Sequence, residues 1–144
     1  MKRIIVMFLA VLAAGCSHTK ECHCRAYQKK YRRPLTGTEW QLVQLYGQNV
    51  RSEKGAFVFM LSPDEGRIEG TGACNRLSGS YTTDAKRTLK IGPLRSTRMA
   101  CPEAEAEKKF VEALETTTHY DMDGPMLLLL SDGELRAVLQ AATE

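Results

Sequence analysis

The chain of 144 residues predicts a single α+β domain, mostly antiparallel β, folded as a curved sheet or incomplete barrel with one α-helix. Three observations carry that prediction. From residue 38 onward, short apolar or alternating runs are separated by Gly, Pro, Asn and Asp, the pattern of strands that pair with their sequence neighbours. One stretch alone, beyond residue 102, has a helical period, so the repeated strand-helix alternation of a parallel sheet is not on offer. Hydrophobic content of 43% with 26% charge is ordinary globular composition, which excludes a disordered or collagen-like chain. The length suits one hydrophobic core rather than several domains.

Residues 1–15 read as a secretory signal, with Lys2 and Arg3 as the basic start and Ile4 to Leu12 as the apolar stretch. That stretch is shorter than the ~20 residues needed to cross a bilayer. It ends in Leu12-Ala13-Ala14-Gly15-Cys16, which resembles the lipobox of bacterial lipoproteins. The resemblance implies cleavage before Cys16 and a diacylglyceryl-modified Cys16 at the new N-terminus. Ser17 beside it resembles the outer-membrane sorting pattern, so the expected address is the outer membrane, lipid-anchored, facing the periplasm or the cell surface.

Residues 16–34 read as a basic tether. Between residues 16 and 37, Lys20, Arg25, Lys29, Lys30, Arg32 and Arg33 stand against Glu21, a net +5. With +2 in the signal and +3 overall, residues 38–144 keep −4. A nucleic-acid partner would need the basic patch on the domain, so none is expected. Beside a bilayer, the run is either attracted to anionic headgroups, at up to ~1 kcal/mol per charge, or simply a solvated linker.

The domain, residues 35–144, starts with a strand at 38–45. Trp40 and Leu42 alternate, then the phase shifts to Val43 and Leu45, which predicts a bulge. Gly47-Gln48-Asn49 breaks it. Residues 56–61 are an apolar β-forming run, and Pro63-Asp64-Glu65-Gly66 turns it into a hairpin with residues 67–70. Residues 80–83 and 88–91 are further short strands, bounded by Gly79, Asp84 and Gly92-Pro93. Pro102 and the acidic run Glu103, Glu105 and Glu107 open the helix, as suits the positive end of its dipole. Ala106, Phe110, Ala113, Leu114 and Thr117 form its sheet-facing side. Met126 to Leu130 and an alternation of Leu135, Ala137 and Leu139 flank Asp132-Gly133, a strong hairpin signal. The sum is seven or eight strands.

Of five cysteines, acylation of Cys16 leaves Cys22, Cys24, Cys74 and Cys101, which allow three pairings. Adjacency favours Cys74 with Cys101, a bridge contributing ~3 kcal/mol by loop closure; two buried free thiols are the competing reading. Cys22-His23-Cys24 are weak metal candidates, because structural zinc sites draw their second ligand pair from a separate ordered element. No metal or other cofactor is expected. The sequence holds no Gly-x-Ser-x-Gly elbow, His-Glu-x-x-His pair or phosphate loop. Cys74 with His119, the domain's one histidine, is the remaining nucleophile-and-base pair to weigh.

The blocks Gly70-Thr71-Gly72-Ala73-Cys74-Asn75-Arg76-Leu77-Ser78-Gly79-Ser80-Tyr81 and Ile91 to Pro102, with Thr97, Met99 and Cys101, resemble the META domain family, which includes HslJ-like heat-shock lipoproteins. The likeness runs from about Leu35 to Ala141, and its motif positions are Gly72, Cys74, Asn75, Arg76, Gly79, Tyr81, Thr97, Met99 and Cys101. It implies a cracked, lipocalin-like barrel in an envelope lipoprotein without established catalysis, with links to envelope stress, antibiotic tolerance and secretion in some members. The expected role is therefore noncatalytic binding or scaffolding in envelope maintenance or stress tolerance. Its partners would be the membrane, through the lipid anchor, and a lipid, small amphiphile or envelope protein held in the barrel's apolar concavity. The alternative is a thiol-redox or metal-handling lipoprotein that uses Cys22 and Cys24 with Cys74 and Cys101.

Overall fold

A computed structural model describes residues 18–142, with side chains from residue 25 onward. In chain order these form α1 (His18–Tyr31), β1 (Glu39–Leu45), β2 (Gln48–Asn49), β3 (Val58–Leu61), β4 (Arg67–Thr71), β5 (Arg76–Thr83), β6 (Leu89–Ile91), β7 (Arg95–Ser96), α2 (Ala104–Glu115), β8 (His119–Asp123), β9 (Met126–Ser131) and β10 (Glu134–Ala141). The signal segment and Cys16 lie outside the described residues.

All strand pairs are antiparallel, in the order β6-β5-β4-β3-β1-β10-β9-β8, with β2 paired to β1 and β7 to β5. The first and last long strands, β1 and β10, lie side by side. The two ends of the sheet meet through a bridge between Thr88 and His119, where Leu89 N–H donates to the Thr118 carbonyl at 3.0 Å and Tyr120 N–H to that of Arg87 at 3.0 Å. The result is the nearly closed α+β barrel that the strand pattern predicts.

The bulge in β1 falls where the phase shift puts it: the register with β10 slips between Leu42 and Gln44. Trp40, Leu42 and Leu45 are all buried on the core side. A second slip lies between Leu135 and Ala137 in β10, where the sequence predicts unbroken alternation. It turns Leu135 out to solvent while Ala137, Leu139 and Ala141 face inward. Asp132 and Gly133 join β9 to β10 with φ of 51° and 86°, the left-handed pair that a two-residue hairpin of type I′ requires.

The described residues contain two helices rather than one. The tether is helical over His18–Tyr31, because the segment is rich in Lys, Arg, Glu, Gln and Ala and holds no Pro or Gly before Pro34. Lys29 and Lys30 in its last turn suit the negative end of the dipole. It docks on the β8–β9 turn: the Gln28 amide donates to Asp123 and accepts from Gly124 N–H.

The helix α2 packs against β1 and β6 and brings Phe110, Ala113 and Leu114 into the core, as its periodicity predicts. Phe110 meets Phe57 edge to face, with ring centroids 5.6 Å apart and planes at 87°. Trp40, Phe59, Leu61, Ile68, Leu127 and Leu129 fill the space around this pair. The concave side of the sheet is therefore packed with side chains, and the apolar hollow expected of a half-open barrel is occupied by the protein's own core.

Replacing Phe110 with Ala should lower unfolding free energy by about 3–5 kcal/mol. Urea denaturation checks this, and a near-neutral result would mean that α2 does not close the core.

Candidate functional site

The motif residues converge on a carboxylate that sequence reasoning did not single out. Glu107, in the first part of α2, shares a helix face with Phe110 and Leu114 and is buried with them. Its Oε2 accepts the backbone N–H groups of Cys74 at 2.9 Å and Asn75 at 3.0 Å, and its Oε1 accepts Asn75 Nδ2 at 2.7 Å. Gly72 makes room for this approach, since a Cβ there would lie 2.5–2.8 Å from the Glu107 side chain.

Asn75, 5% exposed, passes the connection on. Its Oδ1 accepts Met99 N–H at 2.8 Å and the Thr97 hydroxyl at 2.9 Å. Thr97 Oγ1 in turn accepts Arg76 N–H at 3.1 Å. These partners also fix the amide orientation, because only oxygen can face Met99 N–H while nitrogen faces a carboxylate. Beside this network the sulfurs of Cys74 and Cys101 are 2.09 Å apart, bonded, with Cα atoms separated by 5.8 Å. Three segments that are distant in sequence are thus tied at one point: the turn at 72–76, the irregular stretch at 97–101 and the start of α2.

The other motif positions close the same wall. A Cβ at Gly79 would sit 2.9 Å from the Leu94 side chain, at the point where β5 pairs with β7 on one side and β6 on the other. Tyr81 donates its hydroxyl to the Ser62 carbonyl at 2.6 Å. Burial, helped by Asp64, raises its phenol above the usual range, so it remains a donor. The side chains of Arg76 and Met99 face solvent, Met99 at 62% exposure.

Burial alone would push the Glu107 carboxyl up. The donors from Cys74 and Asn75 outweigh that and hold it below the usual carboxylate range. An ionised group with its lone pairs occupied is a poor general acid or base near neutral pH, so this arrangement fastens loops rather than moving protons. The nucleophile reading of Cys74 with His119 is overturned: the Cys74 sulfur is bonded to Cys101, and His119 is exposed on β8 with Nδ1 at 3.1 Å from Thr118 Oγ1. Cys22, His23 and Cys24 lie along α1, and their side chains are outside the described residues. Among the described residues, no group of three or more His, Cys, Asp or Glu could hold a metal ion.

An open depression of about 480 Å³ lies on the outer face of the sheet formed by β1, β3, β4 and β5. Val58 and Met60 give it an apolar floor, with Glu39, Glu69, Arg76 and Ser78 around it. The pairing of Met60 with both Glu39 and Glu69, and of Glu69 with Ser78, sets these side chains in one row across the strands.

An antiparallel barrel with a helix stapled to its wall defines a small lipocalin-like α+β domain. Residues 33–143 match the family model described as META domain, and the chain belongs to that family. It is similar to a protein from Burkholderia xenovorans solved by NMR, at 28% identity over 83% of this chain and 88% of that one, with a TM-score of 0.58. A DUF4847 family protein from Bacteroides vulgatus, known from a crystal structure, shares the fold at 20% identity over 76% and 94% of the two chains, with a TM-score of 0.58. A further protein solved by NMR shares it at 23% identity over 74% and 91%, with a TM-score of 0.59. The curated proteins hold no match to the chain.

Because the folded-state pKa of Glu107 is lowered, the stability it contributes is present above the unfolded carboxylate pKa and lost as pH falls through the folded one. Glu107→Gln should cost about 1–3 kcal/mol near neutral pH by opposing amide hydrogens to the N–H donors. It should also flatten the acid side of the stability profile, as followed by thermal melts across pH. A variant that acidifies like the wild type would remove Glu107 from this role. Reduction of the Cys74–Cys101 bond should lower the thermal midpoint by several degrees, consistent with ~3 kcal/mol for the loop it closes; an unmoved midpoint would contradict a structural bridge.

Proposed function

We propose that the chain is a noncatalytic META domain anchored by an acylated Cys16 in the outer membrane, facing the periplasm or the cell surface, with a binding or scaffold role in envelope maintenance. The observation that carries this reading is the state of the motif's reactive-looking groups. Glu107 and Asn75 are buried, and Glu107, Asn75, Thr97, Cys74 and Cys101 take one another as partners. What remains for other molecules is surface. Since side chains fill the barrel's interior, a partner would meet the outer face, where Val58 and Met60 lie among Glu39, Glu69 and Arg76. An amphiphile or an envelope protein with an apolar centre and mixed charge around it suits that face.

The address rests on the basic start at Lys2 and Arg3, the short apolar stretch and the small residues before Cys16. Among the described residues no helix is long and apolar enough to cross a membrane. In this reading the acyl chains on Cys16 provide the attachment, each buried methylene adding ~0.8 kcal/mol.

Cell fractionation of a Cys16→Ala strain tests the anchor. The protein should move from the membrane to the soluble fraction, and an unchanged membrane fraction would overturn it.

A further inference from the structure

The helix α1 forms a crevice with the barrel that differs in character from the rest of the surface. A depression of about 360 Å³ is lined by Arg25, Gln28, Lys29 and Arg32 from the α1 segment and by Arg87 and Met122 from the barrel. Arg25, Lys29 and Arg32 fall at i, i+4 and i+7, one side of a helix; Arg32 continues the helical path past Tyr31, its N–H donating to the Gln28 carbonyl at 3.0 Å. Gln28, between them, holds α1 against Asp123 and Gly124. The ring of Tyr27 lies beside Gly124, where a Cβ would be 3.1 Å away. The crevice wall is therefore built by contacts and not by charge alone.

Arg87 is aimed into the crevice from the other side. It stands in the turn before β6 with φ of 62°. That turn is held by the Asp84 carboxylate, which accepts N–H groups from Lys86 at 2.9 Å and Thr88 at 3.0 Å. No carboxylate among the described residues lines the crevice, and the two nearest on β8 are engaged: Asp121 pairs with Arg87, and Asp123 accepts from Gln28. Among the described side chains, Arg25, Lys29 and Arg32 have no carboxylate partner at ion-pair distance. Four cations thus line one pocket, only Arg87 among them paired to a described carboxylate, on a protein whose residues 38–144 are net negative.

The geometry points to an anionic phospholipid site: Arg25, Lys29, Arg32 and Arg87 bind the headgroup phosphate of a membrane lipid, with Met122 against its apolar part, and α1 lies along the bilayer surface. Arginine forks and a lysine ammonium are suited to phosphate oxygens. The lipid source follows from position, since α1 begins two residues after Cys16, and this step rests on the anchored reading proposed above. At 1.5 Å per residue, Arg25, Lys29 and Arg32 lie about 10, 17 and 21 Å along the helix from its start. A helix standing upright would carry most of them beyond the ~8–10 Å reach of a charged surface in physiological salt. Lying down, all three reach the headgroups.

The test uses the full chain carrying Cys16→Ala, so that no acyl chain enters the measurement. Co-sedimentation compares vesicles of pure phosphatidylcholine with vesicles containing phosphatidylglycerol. The ratio between the two is the readout, because apolar contributions are common to both. The ratio should favour phosphatidylglycerol and fall on the order of a hundredfold in Arg25→Gln/Lys29→Gln/Arg32→Gln, given the usual gain per surface cation. It should be nearly unchanged in Arg51→Gln/Lys54→Gln/Lys90→Gln, which removes the same charge elsewhere. Equal losses in both variants would overturn the site in favour of diffuse charge. Inorganic phosphate that shifts the Arg25 and Arg32 NMR signals without any phosphatidylglycerol preference would overturn the lipid in favour of a soluble anion. A triple variant with an altered melting temperature would be replaced by Arg32→Gln alone, which should lower the ratio several-fold and whose failure to do so counts against the proposal. Since none of these arms uses the acyl chain, their failure is separable from failure of the Cys16 anchor.

Discussion

The carboxylate of Glu107 under the turn at residues 72–76 is the contact on which the barrel's helix depends. A buried charge without partners is costly, and here three N–H donors from Cys74 and Asn75 supply the compensation. Compensation of that kind is directional, so it sets both the depth and the rotation of the first turn of α2. Phe110 and Leu114, one and two turns later on the same face, then enter the core in a fixed register. The Cys74–Cys101 bond reaches the same place covalently, on the segment leading into α2. Hydrogen bonds orient the helix, and the bridge limits how far its start can move when they open.

Filling of the barrel follows from that placement. An eight-strand path whose ends touch at one bridge, Thr88 with His119, would leave a hollow if no side chains were long enough to fill it. With Phe110 locked in against Phe57, and Trp40 and Phe59 beside them, the space is occupied. A barrel of this kind gains stability at the expense of a ligand lumen. Its depressions lie on the outer sheet face and beside α1, both of which carry charged side chains, whereas the one charge brought inside among the described residues is the compensated Glu107.

Features set by local chemistry were legible in the sequence. The phase shift from Leu42 to Val43 marks a bulge because a strand's side chains alternate strictly, and Asp132-Gly133 marks a hairpin because its backbone must be left-handed. The spacing of Phe110, Ala113 and Leu114 marks the buried face of α2. Features set by tertiary partners were not. Glu107 reads as one more acidic residue suited to a helix start, and its partners lie 32 and 33 residues away. The available signal was its position, on the apolar side three residues before Phe110, where a charge is out of place without a donor. β7 has two residues and exists through pairing with Leu77 and Ser78. Leu135 breaks the alternation because the bulge at Arg136 lies between it and Ala137. The helix α1 is polar on all sides, so no stripe announces it.

The charge division between α1 and the barrel also constrains how the molecule can sit. Residues 16–37 are net +5 and residues 38–144 net −4, and the α1 segment touches the barrel through few groups, chiefly Gln28 and Tyr27 around Gly124. An anionic surface attracts the first part and repels the second. The two forces act at different places on one body, so they produce a torque as well as an attraction. Beside such a surface, that torque would turn α1 towards it and the acidic barrel away. The face with Val58 and Met60 belongs to the barrel and would be carried outward with the body. In the anchored reading proposed above, the segment that reads in sequence as a basic tether therefore sets which part of the domain faces outward.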